Sequence, residues 1–62
     1  MFELWYHTPV RVYVEKTGNY EDVLSYANNN LTKLIQWGYY FTIRLNGIAL
    51  RKIGSNITGW IK

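Results

Sequence analysis

The sequence has no cysteine, so disulfides and thiolate metal sites are excluded. It also has only one histidine and four acidic residues. The acidic residues are Glu3, Glu15, Glu21 and Asp22. Only the last two are close in sequence, and adjacent residues on a helix do not face each other. The lone histidine, His7, falls in a predicted turn, where we expect a surface residue rather than a catalytic base. The sequence therefore predicts no enzyme, no metal and no cofactor.

Long apolar runs and glycine-rich loops are also missing. No apolar stretch approaches the roughly 18 residues of a membrane span. The first residues include no basic segment followed by an apolar run, so no secretory signal is expected there. No glycine-rich loop precedes a predicted helix, which argues against a phosphate-binding loop. We expect one cytoplasmic domain over residues 1–62, in the host cytoplasm if the protein is viral, with no membrane partner.

Hydrophobic residues (48%) and aromatic residues (18%) are abundant, which favours a packed core over disorder. A domain of this size buries only about 60% of the surface of its unfolded chain, so the core must be small. The formal net charge of +3 indicates a mild preference for nucleic acid or for an acidic protein surface.

The dipeptide Asn46-Gly47 is the strongest local signal in the chain. It lies between two β-prone runs, and both central positions of a type I′ turn require a positive φ. It predicts a hairpin of strands over about 39–45 and 48–53. The pairs on the inner face are then Leu45–Ile48, Ile43–Leu50 and Phe41–Lys52. The outer face carries Tyr40, Thr42, Arg44, Ala49, Arg51 and Ile53.

A second hairpin is predicted near the N-terminus, from strands over about 2–6 and 10–15. The length of the loop around Pro9 decides its register, and one residue of slip exchanges the two faces. With a two-residue loop, the residues that face the valines of the second strand are Glu3, Trp5 and His7. A three-residue loop over 7–9 instead pairs Phe2, Leu4 and Tyr6 with Val14, Val12 and Val10. We prefer the second register because it buries no carboxylate; it leaves on the outer face Glu3, Trp5, Arg11, Tyr13 and Glu15.

Between the hairpins, the sequence predicts a helix over about 20–37. Asn19 is the expected N-cap, Asp22 suits the first turn, and Gly38 is the expected residue after the helix. The apolar stripe consists of Val23, Leu24, Ala27, Leu31, Leu34 and Ile35. The run of three asparagines over 28–30 is the weak point, where a bend or fraying is expected because asparagine competes for backbone hydrogen bonds.

Together these elements predict a single small α+β domain of ββαββ order, with one helix packed on one face of a mostly antiparallel sheet. Residues 57–61 form either a short fifth strand or a tail that covers the open end of the core. Strand order stays open at this point. A right-handed crossover would place the third strand parallel to the first or second, as in a β-grasp outline.

If both registers hold, aromatic rings and arginines share the outer face of the sheet. The candidate binding residues are Trp5, Arg11, Tyr13, Tyr40, Thr42, Arg44 and Arg51. Bases stack on flat rings while guanidinium groups hold phosphates, so this face suits nucleic acid, and single strands above duplex.

The same residue types also suit other functions. Tyrosine, tryptophan and arginine are enriched at the hot spots of protein interfaces, so the face could dock on an acidic protein surface. A phage- or mobile-element-type protein that inhibits or modulates a host protein would use it in this way. A second copy of the chain is another candidate, because a homodimer would stabilise so small a core. These residues are equally ordinary on a solvated sheet face, with cross-strand contacts as their only role.

Overall fold

The predicted ββαββ order, with a fifth strand after it, is confirmed. The computed structural model describes residues 1–35 and 38–54, together with the backbone of 58–60. Within these residues the elements are β1 (Phe2–His7), β2 (Val12–Gly18), α1 (Tyr20–Asn29), a 3₁₀ turn (Leu31–Leu34), β3 (Tyr40–Leu45), β4 (Ile48–Gly54) and β5 (Thr58–Trp60). The predicted helix end near residue 37, and both ends of the predicted 57–61 segment, lie outside the described residues. No described helix is long and apolar enough to cross a membrane.

The strands form one sheet in the order β2-β1-β3-β4-β5. Each pair of hydrogen-bonded strands in the described part of the sheet is antiparallel. Because β2 and β3 are both antiparallel to β1, they run parallel to each other with β1 between them. The prediction that the third strand runs parallel to the first or second is confirmed for the second, although β1 separates the two strands. After β2 the chain passes over β1 by way of α1 and then enters β3. The crossover therefore connects two strands that run in the same direction but are not neighbours in the sheet.

The hairpin of β3 and β4 has the predicted turn but not the predicted register. Asn46 and Gly47 both have positive φ, 53° and 82°, and Leu45 pairs with Ile48 as expected. Between Ile43 and Arg44 the pairing then shifts by one residue, which is a β-bulge. The pairs beyond the bulge are Ile43–Arg51, Thr42–Lys52 and Phe41–Ile53. The bulge exchanges the two faces of the last part of β4. As a consequence, Ile53 rather than Lys52 lies opposite the buried Phe41.

The hairpin of β1 and β2 has a loop one residue longer than predicted. The loop covers residues 8–11, and its first residue, Thr8, closes it. The Thr8 hydroxyl accepts from the backbone N–H of Arg11 at 3.0 Å and donates to the carbonyl of Arg11 at 2.9 Å. His7 consequently belongs to β1 and pairs with Val12. It is buried, not a surface residue of a turn.

The longer loop reverses the predicted faces of β2 while leaving those of β1 as predicted. Leu4 and Tyr6 are buried on the helix side, but Tyr6 pairs with Tyr13 rather than with a valine. Val12 and Val14 therefore lie on the outer side of the sheet. A slip of one residue accounts for the whole change.

Helix α1 begins as predicted and ends earlier than predicted. The Asn19 side chain accepts from the backbone N–H of Asp22 at 2.8 Å, which confirms the N-cap. At the other end the Asn30 side chain donates to the carbonyl of Tyr26 at 2.7 Å, so it takes an acceptor of the helix backbone. The asparagine run thus ends the α-helix. In the 3₁₀ turn that follows, Leu34 is buried but Leu31 is exposed, and Ile35, directly after the turn, is exposed as well. The predicted apolar stripe of the helix is therefore wrong at Leu31 and Ile35.

The core lies between α1 and one face of the sheet. Its buried members are Leu4, Tyr6, Val23, Ala27, Leu34, Phe41, Ile43 and Ile53. Several residues that the sequence placed there are exposed instead, namely Val10, Val12, Val14 and Ile48. Helix α1 packs against β1, β2 and β3 on the side of the sheet that carries this core, so it does not cover the opposite face.

Candidate binding surface on the outer sheet face

The sheet face opposite α1 carries a connected group of polar and aromatic side chains, which we call the outer face. Its members come from three neighbouring strands and are Glu3, Trp5, His7, Tyr40, Thr42, Arg44 and Lys52. The pairing of β1, β3 and β4 sets them in rows, with Glu3 beside Arg44, Trp5 beside Thr42 and Lys52, and His7 beside Tyr40. Alternation along each strand places all of them on the side away from the core.

Trp5 and Arg44 form the first contact of the outer face. The Arg44 guanidinium carbon lies 4.9 Å from the centroid of the Trp5 ring. The Trp5 Nε1–H donates to Oε1 of Glu3 at 3.0 Å, which fixes the orientation of the indole. The Nε of Arg44 is buried and has no hydrogen-bond acceptor among the described residues. The guanidinium is therefore held by the ring while one of its donors remains unsatisfied, which is an unfavourable arrangement for a buried polar group.

His7, Tyr40 and Lys52 form the second contact. The rings of His7 and Tyr40 are stacked with centroids 4.2 Å apart and planes only 8° from parallel. The Lys52 ammonium lies 4.4 Å from the centroid of the same Tyr40 ring. His7 and Lys52 approach from β1 and β4, the strands on either side of β3. Tyr40 is therefore a shared aromatic partner for an imidazole and a cation.

His7 is tied into β3 by a second interaction. Its Nε2 and the Thr42 Oγ1 lie 2.8 Å apart in a hydrogen bond, and both residues are more than nine-tenths buried. Burial lowers the pKa of His7, and the positive charges of Arg44 and Lys52 lower it further. The imidazole is consequently neutral at pH 7, and the cationic charge of the outer face belongs to Arg44 and Lys52.

Replacing Arg44 by glutamine should raise the pKa of His7, because it removes one of the two positive charges that oppose protonation. His7 is the only histidine in the chain, so a ¹H–¹³C NMR titration of the imidazole follows it without ambiguity. Arg11→Gln is the matched control. Arg11 is exposed in the loop between β1 and β2 and is not among the charges that shift His7, so this variant should leave the pKa unchanged. Equal titration curves for both variants would contradict the described geometry.

Four of the predicted site residues lie together on the outer face: Trp5, Tyr40, Thr42 and Arg44. Three do not, and their predicted placement is wrong. Arg11 belongs to a loop and lies over the ring of Tyr13, at 5.6 Å. Tyr13 itself meets Tyr6 edge to face on the helix side, with centroids 5.7 Å apart. Arg51 also points to the helix side, where its Nη1 lies 3.5 Å from the hydroxyl of Tyr20.

Two residues of the outer face, His7 and Lys52, were missed by the sequence-based registers. For Lys52 a signal was present. The predicted register paired it with Phe41 in the core, and the rule against burying an unpaired charge would have indicated a bulge. For His7 the signal was the Thr8 hydroxyl, since a threonine side chain can bond backbone groups a few residues further on and so close a longer loop.

Glu15, predicted on the outer face, lies on the helix side instead. The longer loop turns it to the helix side together with Tyr13, and a bulge in β2 leaves it without a strand partner. There its Oε2 accepts from the Tyr26 hydroxyl at 2.7 Å and forms an ion pair with Lys33. Burial alone would raise the pKa of Glu15, but the hydrogen bonds from Lys33 and Tyr26 outweigh it and lower the pKa. The cluster links β2, α1 and the 3₁₀ turn, so we interpret it as a structural contact.

Across the described parts of the chain, no group of three His, Asp or Glu side chains is positioned to hold a metal ion. No protein-family model, curated protein or solved structure matches the chain. The contacts of the outer face are therefore the features of this chain that indicate a function.

Proposed function

We propose that this protein is a non-enzymatic binding protein that holds single-stranded nucleic acid on the outer face. The observation that carries the proposal is the pairing of each aromatic ring with a cation, Arg44 over Trp5 and Lys52 over Tyr40. Nucleic-acid single strands present flat bases and phosphates at alternating positions. A sheet face with rings for the bases and cations for the phosphates matches both.

The charges of the outer face favour an anionic ligand. Its cations are Arg44 and Lys52, and its only acidic residue, Glu3, already accepts a hydrogen bond from Trp5. The chain as a whole carries a formal charge of +3, which attracts polyanions over longer distances. A phosphate beside Arg44 would also supply an acceptor for its unsatisfied Nε–H once the guanidinium lifts from the indole.

Movement of the cations would prepare the rings for stacking. A guanidinium over a half-buried indole contributes between about 0.5 and about 2 kcal/mol, so a phosphate that accepts hydrogen bonds from the guanidinium can compete for it. When the cation turns towards the phosphate, the ring becomes available to a base, and such stacking contributes about 1–3 kcal/mol per base. This mode of binding depends on backbone and ring faces, so we expect little preference for base sequence.

The direct test is a fluorescence-anisotropy titration with a labelled oligodeoxythymidylate of about ten nucleotides, a length within the usual span of one binding domain. We expect salt-sensitive micromolar binding, weaker for a duplex of the same length. Two phosphate contacts predict a log–log salt slope of about −1.4 for a single strand. No binding at low salt, or a stronger preference for duplex, would contradict the proposal.

A protein partner is the second candidate, and a specific observation favours it. Val12 and Val14 are exposed on the outer side of β2, beside His7 and Trp5. Exposed valines contribute little to phosphate binding but suit an interface with an acidic protein, such as a host protein bound by a phage- or mobile-element-type inhibitor, or with a second copy of the chain. Light scattering would detect the dimer as a doubled mass, and its melting temperature would rise with concentration.

A further inference from the structure

We infer that binding of a phosphate strand to the outer face is coupled to uptake of a proton by His7, so that the strand binds more tightly at mildly acidic pH. This inference deepens the proposed function and rests on it. It follows from a buried imidazole that lies on the same sheet face as the two cations that would contact the phosphates, and from the Tyr40 ring that the imidazole shares with Lys52.

The surroundings of His7 contain few charges, and each acts in a known direction. From β3 it faces Tyr40, Thr42 and Arg44, and from β4 it faces Lys52. Its partner on β2 is the apolar Val12. On its own strand, Glu3 is occupied by Trp5. The two cations therefore decide how readily His7 accepts a proton once burial has been accounted for.

In the free protein these contacts oppose protonation. Burial lowers the pKa of His7, and Arg44 and Lys52 lower it further. Lys52 also lies over the Tyr40 ring, the same ring on which the imidazole is stacked. A protonated His7 would be stabilised by the electron-rich face of the Tyr40 ring, but the Lys52 ammonium already interacts with that ring. His7 is thus kept neutral by its burial and, in addition, by the two charges that would bind the ligand.

A bound phosphate reverses this balance. Its negative charge offsets Arg44 and Lys52, and it draws the ammonium away from Tyr40, so that the pKa of His7 rises in the complex. Thr42 allows both protonation states, because a hydroxyl can donate to a neutral Nε2 or accept from a protonated one. Linkage then requires that a ligand which raises the pKa of His7 binds more tightly as the pH falls.

The test is the affinity for an oligodeoxythymidylate of about ten nucleotides, measured at constant ionic strength from about pH 7.5 to about pH 5.5. Thymine and the phosphodiester do not change charge in this range, so the ligand adds no pH dependence of its own. We expect the association constant of the wild-type protein to rise on the order of 3- to 10-fold as the pH falls. The His7→Gln variant keeps a hydrogen-bonding group for Thr42 and every other titrating residue, and its pH profile should be flat over this range.

A second measurement needs no variant and distinguishes the inference from the proposed function. NMR titration of the His7 imidazole, without and with saturating oligonucleotide, should show a higher pKa in the complex. Binding that is independent of pH with an unchanged His7 titration would overturn the inference and leave the proposed function standing. Absence of binding at every pH would overturn both. Equal pH dependence in the wild type and in His7→Gln would assign the proton to another group and would also overturn the inference.

Discussion

Replacing Phe41 by alanine is expected to unfold the protein at 25 °C. Phe41 is fully buried in the central strand β3, where its ring lies 5.4 Å from that of Tyr6 and its partner across the hairpin is Ile53. Truncation of a buried phenylalanine costs about 3–5 kcal/mol. The total stability of a domain of this length is roughly 3–9 kcal/mol. The loss is therefore comparable with everything that holds the domain together, and no disulfide limits the damage.

Urea denaturation followed by far-UV circular dichroism measures this effect, with Ile48→Ala as the matched control. Ile48 is also an apolar residue of the same hairpin, but it is 64% exposed, so its truncation should change the free energy of unfolding by no more than about 0.5 kcal/mol. A Phe41→Ala variant with the wild-type midpoint would show that the core does not lie on the described side of β3. Equal losses in the two variants would contradict the described burial of the hairpin.

Replacing Arg44 and Lys52 together by glutamine is expected to weaken binding of single-stranded oligonucleotides by about 10- to 100-fold. A hydrogen bond to a charged group contributes about 1.5–3 kcal/mol in favourable cases, and exposed sites lie at the lower end of that range. The salt dependence of the remaining binding should also be nearly flat, because the charges that displace counterions from the strand are gone. Both side chains lie on the outer face, so the core is untouched.

The matched control is Arg11→Gln combined with Lys16→Gln. It removes the same net charge, but Arg11 lies over Tyr13 and Lys16 over Tyr26, both away from the outer face. This control should lose only the long-range part of the attraction, which screening makes small at physiological salt. If the two double variants lose affinity equally, binding is a diffuse effect of net charge and the outer face is not the site. Circular dichroism of each variant establishes that the fold is retained.

The local elements of this fold were predictable because each depends on residues close in sequence. The turn at Asn46-Gly47 needs two positive φ angles, and these residues supply them at little cost. The cap at Asn19 needs a short side-chain acceptor before the first helical turn. The asparagine run weakens the helix at the position where α1 ends.

The composition of the binding surface was only partly predictable, because it depends on the register of two hairpins. Thr8 lengthens one loop by a residue, which brings His7 into β1 and turns Tyr13 to the helix side. The bulge in β4 exchanges Arg51 for Lys52. A shift of one residue sends every later side chain of a strand to the other face, so small errors of loop length become complete errors of placement.

By itself the sequence determined the fold class, the type and order of the elements, the turn between β3 and β4, and the start of α1. These depend on local conformational preference and on the spacing of apolar residues. Only the tertiary structure decided the strand order, the two bulges and the residues that share the outer face. The physical reason is competition for one small core. The chain places Ile53 opposite Phe41 and keeps Lys52 on the outer face, because burying an unpaired charge costs more than disturbing one pair of a strand ladder.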